Sequence, residues 1–177
     1  MRFFLHIGFI LSLFLFSSCV KSKHKIGDYY KGGIIFKVNV FGNGMVAAPS
    51  DYRNGIAWGC YDQLIEDADG QKIGKGDDNT KAIVKSCSET VFAAKYCSDF
   101  VSEGYDDWFL PSIEELELMY TELHANSLGG FSGDALYWSS SQNFSLGAWA
   151  LNFSDGARIN SHNKSDKGIK VRPVRTF

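Results

Sequence analysis

Apolar positions first gather at 34–40, a β-branched run that alternates in its second half and predicts a strand. Gly42-Asn43-Gly44 supplies a tight turn, the partner strand follows at 45–48, and Pro49 stops it. Residues 51–76 carry turn formers and no period, apart from a short apolar segment at 56–60. Asp78 or Asn79 then reads as the N-cap of a short helix, and 89–102 as a longer amphipathic helix closed by Gly104. The strongest local signal is Leu110-Pro111-Ser112, where a strand at 107–110 meets a helix. Proline holds Leu110 extended, and Ser112 with Glu115 three residues later has the form of a capping box. Leu116, Met119, Tyr120 and Leu123 recur at helical spacing behind it, so the helix should run from 112 to about 124. Beyond a Gly/Ser loop at 127–133 the pattern turns to β: 137–141, 148–153, a third strand opening at Arg158, and 168–175. One hairpin, two main helices and then several short strands predict an α+β fold.

The chain is long enough for one domain with a substantial core, at 177 residues. Its net charge of −2 argues against a nucleic-acid partner. Charge is unevenly placed. Residues 51–107 hold 12 acids against 6 bases, and residues 154–177 hold 2 acids against 6 bases: Arg158, Lys164, Lys167, Lys170, Arg172 and Arg175. A basic C-terminal set of this kind can draw anionic partners.

The first residues read as a targeting segment rather than fold. Arg2 precedes an apolar stretch at 3–16, and Ser17-Ser18-Cys19 follows. Small residues directly before a cysteine resemble the lipobox of bacterial lipoproteins, which implies lipidation of Cys19, a signal peptide at 1–18, and membrane attachment through the lipid. Leu15 and Phe16 depart from the usual spacing. The lack of an Asp after Cys19 implies, by the same resemblance, the outer membrane. A basic tether at 19–27 then leads into a single domain at 28–177.

Three cysteines remain for an oxidising compartment, enough for one bridge. Cys97 falls on the apolar face of the 89–102 helix and reads as a buried thiol. Spacing alone does not fix the pairing, and the expected bridge is Cys60 with Cys87. Asp67-Ala68-Asp69-Gly70 looks like the start of a calcium loop, but position 76 is Gly where a Glu ligand belongs. No cofactor is expected, with calcium as the alternative. Nor is an enzyme: the four histidines lie in the signal, the tether, a helix end and a polar hairpin, and no nucleophile motif occurs.

Taken in order, Asp107-Trp108-Phe109-Leu110-Pro111-Ser112, Tyr137-Trp138-Ser139-Ser140-Ser141, Ala148-Trp149 with Phe153-Ser154-Asp155-Gly156, and Val171-Arg172-Pro173-Val174-Arg175 resemble the Lcl C-terminal domain of bacterial collagen-like adhesins. These motifs fall within 104–177. The resemblance implies a C-type-lectin-like fold, related to that of the formylglycine-generating enzymes, with two helices and small twisted sheets. The catalytic cysteines of those enzymes lie late in the chain, and here no cysteine follows Cys97. The resemblance further implies a trimeric adhesin that binds glycosaminoglycan-like polyanions, although this chain has no collagen-like repeat. The implied function is a non-catalytic, membrane-anchored binding or adhesion module for an acidic glycan. The alternative is an accessory envelope lipoprotein with a protein partner. The residues expected at a ligand are Trp149, Asn152, Asp155, Arg158, Lys170 and Arg172.

Overall fold

The computed structural model describes residues 23–52 and 54–177. The signal segment 1–18 and the Cys19 lipidation site lie outside them. Strands β1 (Tyr29–Tyr30), β2 (Gly33–Val38) and β3 (Gly44–Ala47) form an antiparallel meander, and β7 (Val174–Thr176) joins it beside β3. A second antiparallel sheet consists of β4 (Leu136–Gln142), β5 (Gly147–Asn152) and β6 (Arg158–Asn163). Between them in sequence come α1 (Gly76–Ser86), α2 (Ala93–Ser98) and α3 (Ile113–Glu122), so the chain is α+β as its pattern predicts.

Strand alternation explains the layering. Phe36, Met45 and Ala47 face the core beneath α3, which also holds Leu116, Met119, Tyr137, Leu151 and Phe153. Ile35 and Val46, one residue out of phase, face a smaller cluster with Trp108. The second sheet divides in the same way. Trp138, Ala148 and Ala150 point to a core shared with Ile83, Phe92, Ala94 and Cys97 of the α1–α2 side.

The capping box on α3 forms as expected: the Ser112 hydroxyl accepts from Glu115 N–H, and Ser112 N–H donates to Glu115 Oε2 at 2.8 Å. Glu115 is fully buried and does more than cap its own helix, because Gly74 N–H donates to its Oε1 at 2.7 Å. The first turn of α1 is thus drawn against α3. A Cβ on Gly76 would stand 2.2 Å from Glu115 Oε2, so only glycine fits there. Burial pushes the Glu115 carboxyl above its usual range, against the pull of the backbone N–H groups that it accepts.

Four local expectations are corrected. Helix α1 starts at Gly76, before Asp78 and Asn79, because the Asn79 side chain is engaged elsewhere: it clamps Gly70 through both N–H and C=O and donates to Ser140 Oγ. The helix expected at 89–102 shrinks to the six residues of α2. Ala93 N–H donates to Ala57 O and Glu89 accepts from Cys60 N–H, which straps the preceding residues in extended form. The strand at 107–110 is reduced to one bridge, in which Phe109 and Val174 exchange both backbone bonds, while Leu110 N–H turns to Thr80 Oγ1. The run at 168–175 splits at Pro173, which has no N–H to donate. Lys170 bridges in parallel to Tyr137 of β4, and β7 crosses to the first sheet.

Cys60 and Cys87 are disulfide-bonded, and Cys97 is a free thiol buried in the core. Two reciprocal indole bonds hold the irregular 56–60 segment to β4: Trp58 Nε1 donates to Ser139 O and Trp138 Nε1 to Ile56 O, both at 2.8 Å. Arg172 has 0% side-chain exposure and pairs with Asp51 at 2.6 Å. It also donates to the carbonyls of Ala48, Gly129 and Gly130, and its guanidinium lies 4.0 Å from the Phe131 ring centre. Asp51 accepts in addition from the Tyr137 hydroxyl at 2.6 Å.

Breaking this pair from one side leaves a buried charge without its partner. Asp51→Ala is expected to lower unfolding free energy by about 3–5 kcal/mol in urea titration. Reducing the Cys60–Cys87 bridge, with its sequence separation of 27, should cost roughly 3–4 kcal/mol in the same assay.

Candidate binding surface

The residues expected at a ligand do not form one patch. Asn152 and Asp155 are turn-formers: Asn152 Oδ1 accepts from the Ser154 N–H and hydroxyl, and Asp155 Oδ1 from Ala157 N–H. Arg158 crosses to α3 and pairs with Glu117, donating from Nε to Oε1 at 3.1 Å and from Nη2 to Oε2. Trp149 is half-buried against the core beneath α3, and its indole N–H is buried with no hydrogen-bond partner. Lys170 lies outside β4 and Arg158 on β6, so the width of the sheet separates them. Arg172 cannot serve as a surface ligand, since its buried guanidinium is engaged by Asp51 and backbone carbonyls. Arg175 is likewise turned inward, onto Asp107 at 2.8 Å and the Tyr105 ring. A buried cation must be hydrogen-bonded or paired, and that requirement takes the C-terminal bases into the frame.

A different face carries exposed apolar side chains. Leu64 is 73% exposed, Phe144 60%, Leu146 48% and Tyr61 49%. Exposed large apolar side chains brought together on one face are a mark of contact surfaces. The support is unusually well fixed. The Gln142 side chain bonds both the N–H and the C=O of Ile65, beside Leu64. Lys164 donates to Gln63 O and Gln142 Oε1, each at 2.7 Å, and lies 4.5 Å from the Trp58 ring centre. Its own N–H donates to Leu146 O. The 61–65 loop and the β4–β5 hairpin are therefore locked to one buried amine. Next to this face, Glu66, Asp67 and Asp69 line an open cleft of about 630 Å³ against Lys75, Asp78, Lys81 and Lys85 of the α1 side. The Asp67 and Asp69 carboxylates thus face solvent, while Ala68 between them is buried. Among the described residues, the one group of three potential metal-ligand side chains is Cys60, Cys87 and Glu89, whose sulfurs form the disulfide. Sequence reasoning passed over Leu64, Phe144 and Leu146. The available signal was large apolar residues placed inside turn-rich loops, where no period calls for them.

The Lcl C-terminal domain matches residues 49–175. The chain belongs to the Lcl C-terminal domain family. No curated protein matches it. Among solved structures it is similar to a fimbrial protein from Bacteroides ovatus ATCC 8483, at 13% identity with a TM-score of 0.53. That likeness covers 76% of this chain and 36% of the fimbrial chain, so this chain corresponds to about a third of that protein. At this identity it speaks for the fold alone. In this Lcl C-terminal domain the motifs that carry the family resemblance prove to be frame. Asp107 holds Arg175, Phe109 bridges Val174, Ser140 N–H donates to Pro111 O, and Ser141 Oγ accepts from Ile113 N–H and donates to Gly70 O.

Burial pushes the Lys164 ammonium down to about 8 from 10.5, so the folded chain gives up this proton at a lower pH than the unfolded chain does. Between those two values the unfolded chain binds a proton that the folded chain does not, and stability rises with pH. Below pH 8 both states hold the proton and the folded chain carries the cost of the buried ammonium in full. Wild-type protein should therefore gain stability between about pH 8 and 10.5 relative to Lys164→Met, measured as the difference in urea midpoint at each pH.

Proposed function

We propose that this chain is a lipid-anchored envelope protein acting as a non-catalytic binding module, and that its partner is a protein rather than an acidic glycan. The observation that carries the reading is the exposed apolar set Tyr61, Leu64, Phe144 and Leu146, fixed on the Lys164–Gln142 frame. The cleft beside it, lined by Glu66, Asp67 and Asp69 and by Lys75, Lys81 and Lys85, gives the apolar set a charged rim of both signs, as protein-binding surfaces have. The engagement of Arg158, Lys164, Arg172 and Arg175 in internal contacts weighs against a polyanion. Membership of the Lcl C-terminal domain family supports a role in binding or adhesion, and the lipobox-like Cys19 supports attachment to the outer membrane.

The kinship with C-type-lectin-like folds belongs to the same proposal. It is supported by the way the first and last strands share one sheet, in the order β1-β2-β3-β7, which brings the two ends of the domain together.

A double variant, Leu64→Asp with Phe144→Asp, tests the reading. Both side chains are exposed, so its melting temperature should match wild type within a few degrees. Crosslinking on intact cells should recover one dominant protein partner with wild type and at least tenfold less with the variant. Retention on heparin resin should be weak for both. Strong, salt-sensitive heparin retention that Lys167→Ala and Lys170→Ala abolish would reverse the assignment in favour of an acidic glycan.

A further inference from the structure

The β2–β3 hairpin ends in a second exposed apolar feature, remote in sequence from the surface described above. Val40 is 64% exposed and Phe41 85%, the latter the most exposed of the large hydrophobic side chains among the described residues. The turn that carries them is well ordered by its own bonds. The Asn39 side chain accepts from Phe41 N–H and Asn43 N–H, Gly42 N–H donates to Asn39 O, and Asn39 N–H donates to Asn43 O. A turn held this firmly presents its apolar tip at no further ordering cost.

The foot of this turn is linked by contacts to the place where the chain enters the domain. His24 stacks on Tyr30 with ring centres 4.0 Å apart and meets Phe177 at 6.2 Å. Phe177 exchanges both backbone hydrogen bonds with Gly44, the residue at the foot of the turn. Lys23 is four positions beyond Cys19, a reach of at most ~14 Å when fully extended. A lipid on Cys19 would therefore hold this end of the domain against the bilayer. Lys23 and Lys25 are exposed here and Lys37 is half-buried, which suits an anionic headgroup layer.

We propose that the β2–β3 hairpin tip, through Val40 and Phe41, inserts into the interface of the bilayer that holds the lipid anchor. This rests on the lipoprotein reading above and adds an orientation to it. Two apolar side chains bind a membrane only weakly by themselves. Tethering makes their insertion an intramolecular event, and a second contact then fixes how the domain stands. With the tip down, the domain is pinned at two points and its partner-binding loops are held at a set attitude to the membrane.

The test uses the full chain purified from membranes and carrying Phe41→Cys, labelled with an environment-sensitive fluorophore. Cys97 is buried, Cys60 is bridged to Cys87, and the anchor's lipid would occupy the Cys19 sulfur, so the new thiol is the one labelled. The protein is reconstituted into vesicles of phosphatidylethanolamine and phosphatidylglycerol containing a spin-labelled lipid, with Leu64→Cys as the comparison site. Expected is flotation with the vesicles, a blue-shifted emission at position 41, and quenching there several-fold stronger than at position 64. Flotation with equal quenching at both sites overturns the insertion and leaves the anchor standing. A blue shift at 41 without lipid quenching means that another protein surface covers the tip, and also overturns it. Failure to float removes the anchor, and the insertion with it.

Discussion

A buried guanidinium fixes most of the long-range geometry of this protein. Arg172 is out of contact with water, and a cation so placed is tolerated only when it is paired and hydrogen-bonded. The groups that meet this demand come from distant parts of the chain: Ala48 at the end of the first hairpin, Asp51 after it, and Gly129 and Gly130 in the loop behind α3. Asp51 in turn holds the Tyr137 hydroxyl of β4. The two sheets and the loop between them are therefore mutually located by one charge. Directional bonds of this kind set a register that apolar packing alone leaves open.

Polar groups near the middle of the structure follow a common pattern. Glu115 caps α3 and draws in the start of α1, Asn79 clamps Gly70, Gln142 clamps Ile65, and Lys164 ties a loop to a hairpin. Each is a buried or nearly buried side chain that satisfies backbone groups of an irregular segment. This is how residues 56–75, which contain no helix or strand, acquire a fixed shape. Their backbone groups need partners, and side chains from regular elements supply them. What projects from such a loop is correspondingly well positioned, as Leu64 illustrates.

The features that were legible in the sequence are those decided locally. The capping box of Ser112 and Glu115 needs only three residues of spacing, and it is present. The Gly42-Asn43-Gly44 turn, the alternating strands and the core position of Trp138 follow from the same short-range rules. The Cys60–Cys87 bridge was a choice among three thiols, and the structure contains it. Length of α2 was not legible, because the bonds that shorten it come from Ala57 and Cys60, more than 25 residues away. Direction was not legible either. Arg172 and Arg175 read as surface bases because their acidic partners, Asp51 and Asp107, lie 121 and 68 positions distant. The exposed apolar residues were hidden for a related reason: exposure is a property of neighbours, and periodicity is silent inside loops.

The pairing of β7 with β3 has a consequence for what counts as the unit. The family match begins at residue 49, after β3 has ended. Yet β7 hydrogen-bonds to β3, Arg172 takes its acceptor from Ala48, and Phe36, Met45 and Ala47 fill the core under α3. The segment shared with relatives and the segment that folds have different borders. A piece cut at the family limits would expose the apolar underside of α3 and strand β7 at a bare edge. Moving this domain intact into another protein requires the first hairpin to travel with it.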